Sequence, residues 1–313
     1  MTSPLFPNRP PLIVICGPTA VGKTALALQL AGRYPIEVIS ADSRQVYRLM
    51  DIGTAKPTPE ERVAVPHHLL GVVWPDEPFD AARYAELAAT AIDGVLARGK
   101  IPVLVGGTGL YIRVLTEGLA EVPPADCALR AHLHQEAERF GAPELHRRLV
   151  AVDPAAASIL HPNDLVRIVR ALEVFTLTGH PLSTFQREHG FQDHRYRLLK
   201  LGLTMERNDL YQRIDQRAVA MFAGGLFEET EGLLRAGYAP ELKSMQTIGY
   251  REAARFLRGE ISKDQALADL QQATRRYAKR QLTWFRADPE MIWVDSLRES
   301  DNIQMLIDQF HAG

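Results

Sequence analysis

Gly17-Pro18-Thr19-Ala20-Val21-Gly22-Lys23-Thr24 fills every fixed position of the pattern G-x-x-x-x-G-K-[ST]. The apolar run at 12–16 before it suits a buried strand, and the run at 25–31 after it suits a helix. A glycine-rich loop in that setting turns backbone N–H groups toward phosphate oxygens. It does so at a helix N-terminus, where the dipole favours an anion. Lys23 adds a cation, and the Thr24 hydroxyl can ligate Mg²⁺. The stretch therefore specifies a phosphate-bearing ligand and an α/β architecture. It leaves open a kinase, a nucleotide-driven switch and an enzyme whose diphosphate is a leaving group.

The chain around it alternates strands and helices. Strands are expected at 36–40 and 101–105, with helices at 23–33 and Ala81–Ala97. Such alternation argues for a parallel sheet with helices on both faces, binding ligands beyond the carboxyl ends of its strands. Three segments follow three strands: the 17–24 loop, A-D-S-R-Q-V-Y at 41–47 and G-G-T-G-L-Y at 106–111. On this topology they converge on one crevice. The character changes near Pro123-Pro124. From there to about Arg195 the pattern is helical, with amphipathic stretches at 128–150 and 165–177. Asn163 or Asp164 suits the N-cap of the second, and Gly179 its stop. A helical insertion at 123–195 is expected, between core segments 1–122 and 196–313. A strand at 197–203, helices at 209–236 and 263–286, and a short strand at 291–294 complete the pattern. Ser262 with Gln265 fits a capping box. No internal repeat or low-complexity tract is visible.

Composition narrows the partners. The apolar fraction of 46% and charged fraction of 24% are ordinary for a globular chain of 313 residues. A net charge of -2 gives no global nucleic-acid signature, so any basic surface must be local. Two cysteines, Cys16 and Cys127, make no disulfide framework and suit a reducing cytoplasm. The first eleven residues are Pro-rich and lack a signal-peptide core. No apolar run nears the roughly 20 residues of a membrane span. The ten histidines include adjacent His67-His68, expected as hydrogen-bonded loop residues. With no H-E-x-x-H and no C-x-x-C, a zinc site is disfavoured.

Asp42 has three readings: a carboxylate holding Mg²⁺ through water, a general base in the crevice, or a helix N-cap. Ser43, Arg44 and Gln45 add donors and acceptors beside it. Thr108 lies where a nucleotide hydrolase would carry an acid; it can aim a hydroxyl at a reacting atom or simply close a tight turn. Arg167 and Arg170 share a helical face, either solvated or meeting a ligand. Arg217 can reach a phosphate or pair with a carboxylate. The segment 275–286 carries Arg275, Arg276, Lys279, Arg280 and Arg286 without one acid, interleaved with Tyr277, Trp284 and Phe285. That local patch suits backbone contact and base stacking with nucleic acid.

Six motifs in order, G-P-T-A-V-G-K-T, A-D-S-R-Q-V-Y, V-G-G-T-G-L-Y, V-R-I-V-R-A-L-E-V, M-Q-T-I-G-Y-R-E and R-R-Y-A-K-R-Q-L-T-W-F-R, make the chain resemble bacterial tRNA dimethylallyltransferases, also called tRNA isopentenyltransferases. The resemblance runs from about Leu12 to Val294. It implies a P-loop NTPase-like parallel sheet with flanking helices and an inserted helical domain. It implies transfer of a dimethylallyl group from dimethylallyl diphosphate to N6 of the adenosine 3′ to the anticodon, in tRNAs reading codons that begin with U. The loop then holds a leaving diphosphate, which agrees with the missing acid after the third strand. By resemblance, Gly17, Pro18, Thr19, Ala20, Val21, Gly22, Lys23, Thr24 and Arg217 bind that diphosphate, with Mg²⁺ at Thr24. Asp42 is the base, and Thr108 and Lys23 join it in catalysis. Asp42, Ser43, Arg44, Gln45, Thr108, Arg167, Arg170, Thr247, Gly249, Arg251, Arg280, Trp284 and Arg286 match stretches that meet the tRNA anticodon stem-loop. Val21 stands where the family usually has Ser; the backbone cradle does not need that side chain. Eukaryotic members carry a C-terminal zinc finger, and no cysteine follows Cys127. A cytoplasmic monomer is expected. Rival readings are prenyl transfer to free AMP or ADP, a P-loop small-molecule kinase, and a nucleotide-gated RNA-binding protein.

Overall fold

Short runs of Ile, Val and Leu, buried on both faces, form the centre of the chain. The computed structural model describes residues 9–191, 193–295 and 298–312. The chain divides into two compact units. One takes in the chain up to Thr116 and again from His194, and the other is Glu117–Asp193.

The first unit is built on β1 (Pro11–Cys16), β2 (Ile36–Ala41), β3 (His67–His68), β4 (Ile101–Gly106), β5 (Arg197–Thr204) and β6 (Ile292–Asp295). They form one sheet in the order β3-β2-β4-β1-β5-β6, with every pairing parallel. Parallel strands covered on both faces read as continuous apolar runs, as PLIVIC and IPVLVG do. Successive side chains alternate faces. Leu12, Val14 and Cys16 enter one core with Tyr84, Ile92, Tyr111 and Leu115, while Ile13 and Ile15 enter a second core with Leu26 and Leu30. The register sets Cys16 and Ala41 each opposite Gly106, so three strands end level.

The helices are α1 (Lys23–Ala31), α2 (Pro59–Ala64), α3 (Ala81–Ala97) and α4 (Gly109–Glu117), then α5 (Cys127–Phe140), α6 (Ala142–Val152), α7 (Pro154–Ile159), α8 (Leu165–Thr178) and α9 (Leu182–His189). After β5 come α10 (Arg207–Ala223), α11 (Leu226–Arg235), α12 (Tyr250–Leu257) and α13 (Lys263–Phe285), with α14 (Ser300–Ala312) after β6. Two expected long helices are each two. The 128–150 stretch breaks at Gly141, and the 209–236 stretch breaks at Gly224-Gly225. Gly141 and Gly225 both take positive φ, a conformation that ends helices, and periodicity alone does not register it. Ser262 caps α13 by accepting the Gln265 amide at 3.1 Å, but Gln265 gives its side chain to Asp269, so the box stays half closed. His67 and His68 are hydrogen-bonded as expected, yet they form a two-residue edge strand instead of loop.

The second unit is helical, α5 to α9, around Leu133, Leu145, Leu149, Ile168 and Leu172. It begins ahead of the Pro123-Pro124 change in composition. Asp164 caps α8 through the Arg167 amide, and Gly179 ends it in the left-handed region. Fully buried Glu173 accepts from Arg130 at 2.8 Å on each oxygen, from the Asp126 amide at 2.7 Å and from Arg170 at 2.5 Å. A buried carboxylate needs such partners.

In the first unit, buried Glu37 on β2 plays the same part with Arg98, His68 and Lys100. The Arg98 hydrogen bond draws its carboxyl down to about 2 against the opposing effect of burial, helped by His68 and Lys100. A carboxyl lowered on folding stabilises above its ordinary value, and that stability is lost as pH falls toward about 2. Glu37→Gln is therefore expected to cost about 2 kcal/mol at pH 7. In urea titrations run down the pH scale, the gap from wild type narrows below about pH 4.5.

Candidate active site

The level ends of β1, β2 and β4 bring Gly17, Asp42 and Gly107 to one edge of the sheet. Gly17 turns with φ +142°, and a Cβ there would stand 2.7 Å from the Leu203 carbonyl oxygen of β5, so only glycine fits. The loop then runs into α1 at Gly22. Lys23 reaches back to the carbonyls of Gly17 at 3.0 Å and Pro18 at 2.8 Å. Burial pushes its ammonium down to about 8; Asp42 opposes the shift and Arg217 adds to it. Arg217, on α10, donates to the Thr19 hydroxyl and is itself lowered by burial, again with Asp42 opposing. Arg217 is thus bonded to the phosphate loop.

The Thr19 amide donates to the Gln281 side-chain oxygen at 2.8 Å. The cradle is left to the amides at the start of α1, where helix geometry leaves donors without carbonyl partners.

Asp42 caps a turn, not a helix. Its Oδ1 accepts the Arg44 amide at 2.8 Å and the Gln45 amide at 3.4 Å, and the segment that follows is turns. Thr108 accepts the Ser43 amide at 2.9 Å through its hydroxyl and donates its own amide to Ala41 at 3.1 Å. Two loops predicted to converge are therefore bonded together. The turn also starts α4, since the Tyr111 and Ile112 amides return to the Thr108 carbonyl. Gly109 leaves room for the Trp284 ring, which a Cβ would strike.

A cavity of about 290 Å³ opens over this edge. Thr19, Asp42, Arg44, Arg217, Tyr277 and Arg280 supply its polar wall. Ile214, Ala218, Met221, Ile248 and Leu270 supply an apolar one. Asp42 is the one carboxylate among its lining residues. Tyr277 is pushed up to about 12 by burial, with Asp42 adding to it. Thr247 and Arg251 also reach the cavity, and the buried Thr247 hydroxyl finds no hydrogen-bond partner among the described residues. Gly249 caps α12 with its amide on Glu252.

Other candidates are engaged elsewhere. Gln45 spans from the Ser40 hydroxyl to the carbonyls of Thr54 and Ala55, so it braces a cavity wall. Arg170 is held by Glu173 and the Pro123 carbonyl, and Arg167 by its own N-cap Asp164. Arg275 makes a forked pair with Asp215 and leaves the free basic patch. Arg276, Lys279, Arg280 and Arg286 stay exposed with no ion pair among the described residues, beside a Trp284 ring 45% exposed.

Three supports were not singled out from sequence. Gln281 donates to the Gly107 carbonyl at 2.8 Å as well as accepting from Thr19. Glu229 gathers the amides of Asp51, Ile52 and Gly53, and the buried Tyr250 hydroxyl donates to it at 2.5 Å, so together they fix the 51–55 wall. Gln281 lay inside a quoted motif, but its neighbours' charges drew the attention; Glu229 lay in an ordinary amphipathic helix.

The Lys23 charge gives this site a pH signature. Below about 8 the ammonium is charged and meets an anion; above it the charge is lost. Inorganic pyrophosphate is expected to bind progressively more weakly to wild type from pH 7 to 9 by calorimetry. Lys23→Arg, which stays charged, keeps a flatter profile over the same range.

Comparison with known proteins follows this geometry. A profile of the IPP transferase family matches residues 45–288, and one described as isopentenyl transferase matches residues 10–67. The chain is 55% identical to tRNA dimethylallyltransferase 1 of Syntrophotalea carbinolica, covering 97% of this chain and 96% of that one. It is 54% identical to tRNA dimethylallyltransferase of Geobacter sulfurreducens, covering 97% of each. The full-length tRNA isopentenylpyrophosphate transferase of Bacillus halodurans superposes with a TM-score of 0.70 at 41% identity, covering 96% of each chain. A eukaryotic dimethylallyltransferase acting on tRNA superposes at 0.77 with 29% identity, covering 93% of this chain and 76% of that one. The parallel sheet and its loop are the P-loop NTPase-like arrangement of these neighbours. By sequence match, sheet order and the loops gathered at one edge, this chain belongs to the IPP transferase family.

Proposed function

We propose that this chain transfers a dimethylallyl group from dimethylallyl diphosphate to the N6 amine of the adenosine 3′ to the anticodon in tRNAs reading U-starting codons. One observation carries the chemistry: Thr19 of the phosphate loop, Arg217 bonded to it, and Asp42 line one cavity, with Thr108 behind Asp42 on the Ser43 amide. Family membership carries the tRNA and the prenyl group.

The adenine N6 attacks C1 of the dimethylallyl group. The C1–O bond breaks, its electrons leave with diphosphate, and the proton on N6 passes to Asp42. An exocyclic adenine amine is a poor nucleophile, because its lone pair is delocalised into the ring. A carboxylate accepting its N–H makes attack feasible. Lys23, Arg217 and the amides of α1 meet the charge that grows on the leaving diphosphate, and preorganised groups of this kind are often the largest catalytic contribution. The apolar wall of Ile214, Ala218 and Met221 suits the prenyl chain and keeps water from the reacting carbon. Thr108 can hydrogen-bond near the transferred group. The target base must leave its stack to enter.

Mg²⁺ fits the donor set at the loop. Thr24 offers one hydroxyl at the head of α1, and Mg²⁺ commonly takes one or two protein ligands with phosphate oxygens and water. Bound there, it would neutralise diphosphate charge. A monomer is the acting unit in this reading. Among the described residues, no helix is long and apolar enough to cross a membrane. Cytoplasmic tRNA and two free thiols suit a reducing compartment.

The exposed Arg276, Lys279, Arg280 and Arg286 favour an RNA acceptor over free AMP, because a mononucleotide needs no such surface. Transfer of radiolabelled dimethylallyl to an anticodon stem-loop should label RNA carrying the target adenosine and leave its guanosine counterpart unlabelled. Asp42→Ala should lower that turnover about 10²-fold or more while RNA affinity stays within a fewfold. Strong turnover of AMP would replace the tRNA acceptor, and no label in either RNA would sink the reading. Arg280→Ala should weaken RNA binding and lower the slope of log K against log salt by about 1. An unchanged slope would remove Arg280 from the RNA contact.

A further inference from the structure

One side chain joins the two halves of this site, and it belongs to neither loop. Gln281 is 6% exposed on α13. Its Oε1 accepts the Thr19 amide at 2.8 Å, and its Nε2 donates to the Gly107 carbonyl at 2.8 Å. The amide group has a donor end and an acceptor end, and this bridge needs both, in that order. On one side, the Thr19 hydroxyl accepts from Arg217. On the other, Gly107 precedes Thr108, whose hydroxyl holds the Ser43 amide next to Asp42. The same face of α13 carries Tyr277 and Trp284 one turn away in each direction: Tyr277 lines the cavity and Trp284 lies against Gly109.

Elsewhere around the cavity, other side chains brace one wall. Glu229 and Tyr250 hold the 51–53 amides, and Gln45 ties the Ser40 hydroxyl to the Thr54 and Ala55 carbonyls. The Gln281 bridge differs in spanning the donor loop and the acceptor turn. A buried amide engaged at both ends transmits displacement, because moving either loop costs a hydrogen bond in a poorly solvated place.

We propose that Gln281 is a positioning residue that couples the two substrates: seating of the diphosphate in the loop is passed through Thr19 and Gln281 to Gly107 and Thr108, and so sets the acceptor edge beside Asp42. The proposal rests on the donor and acceptor assignment made above. It adds a residue that touches neither reacting atom.

Two readouts separate this role from simple stability. The first is hydrogen exchange with Mg²⁺ and inorganic pyrophosphate. In wild type, pyrophosphate should slow exchange in both 17–24 and 106–112. In Gln281→Met, of similar shape but without the hydrogen bonds, protection of 17–24 should persist and that of 106–112 should vanish. The second is the pH profile of transfer for Gln281→Glu. An ionised carboxylate still accepts from Thr19 but faces the Gly107 carbonyl with no hydrogen to give, and protonation restores one. Turnover of Gln281→Glu relative to wild type should therefore rise at least about tenfold from pH 8 to 5.5, while Gln281→Met stays flat. Taking each variant as a ratio to wild type removes any pH dependence that they share.

Retained protection of 106–112 in Gln281→Met, or a flat ratio for Gln281→Glu, would overturn the proposal. Wild type that is protected by pyrophosphate yet transfers nothing to RNA would overturn the prenyl-transfer reading instead, leaving the exchange result to judge Gln281. Wild type unprotected at 17–24 would remove the diphosphate assignment and the coupling with it.

Discussion

Parallel pairing with level ends is the constraint from which the site follows. Cys16 and Ala41 each sit opposite Gly106, so the chain leaves β1, β2 and β4 at one height and in one direction. The next residues are Gly17, Asp42 and Gly107, and each begins a loop that carries chemistry. In a sheet the side-chain period is two, so a slip of one residue would exchange its two faces and move these loops out of reach. Apolar packing on both faces forbids that slip: Leu12, Val14 and Cys16 are committed to one core, and Ile13 and Ile15 to the other. The hydrophobic cores therefore determine where a carboxylate, a hydroxyl and an ammonium meet.

That meeting concentrates charge in a partly dry place. Burial lowers both Lys23 and Arg217, and Asp42 acts against the shift in each. Lys23 is held by the Gly17 and Pro18 carbonyls and Arg217 by the Thr19 hydroxyl. The cations are thus preorganised near the loop by neutral partners, which can be exchanged for phosphate oxygens at little cost in reorganisation. The acid is held differently. Asp42 is oriented by two backbone amides through a single oxygen, which leaves its position independent of the cations opposite.

Much of this was legible because the relevant signals are local. The 17–24 pattern needs only eight residues and its flanks, and the strand ends are marked by apolar runs stopping at Gly, Asp or Gly-Gly. Asp164 and Gly179 were readable as a cap and a stop for the same reason. What stayed hidden was long-range. Gln281 lies 262 residues from its partner Thr19 and 174 from Gly107, and a neutral amide among arginines gives no sequence signal. The basic patch was overcounted, since nothing local says that Arg275 finds Asp215 across α10. Arg170 is the local exception: Glu173, three residues on along the same helix, holds it. Helix breaks at Gly141 and Gly225 escaped because a single glycine within an amphipathic pattern is compatible with either outcome until φ is known.

The end of β4 explains how a phosphate loop comes to serve transfer to an amine. A nucleotide hydrolase would need an acid there to manage metal and water beside the bound phosphates. This chain has Gly106-Gly107-Thr108 instead. The glycine-rich turn lets α13 pack close, admitting Gln281 to the Gly107 carbonyl and Trp284 to Gly109. The helix thereby brings buried Gln281 between the loops and Tyr277 to the cavity wall. The one carboxylate lining the cavity, Asp42, leaves from β2, on the far side of β4 from the phosphate loop. In the roles proposed for them, a base set one strand away from the loop that holds the diphosphate is poorly placed to activate water at phosphorus and well placed to receive a proton from a nucleophile approaching carbon.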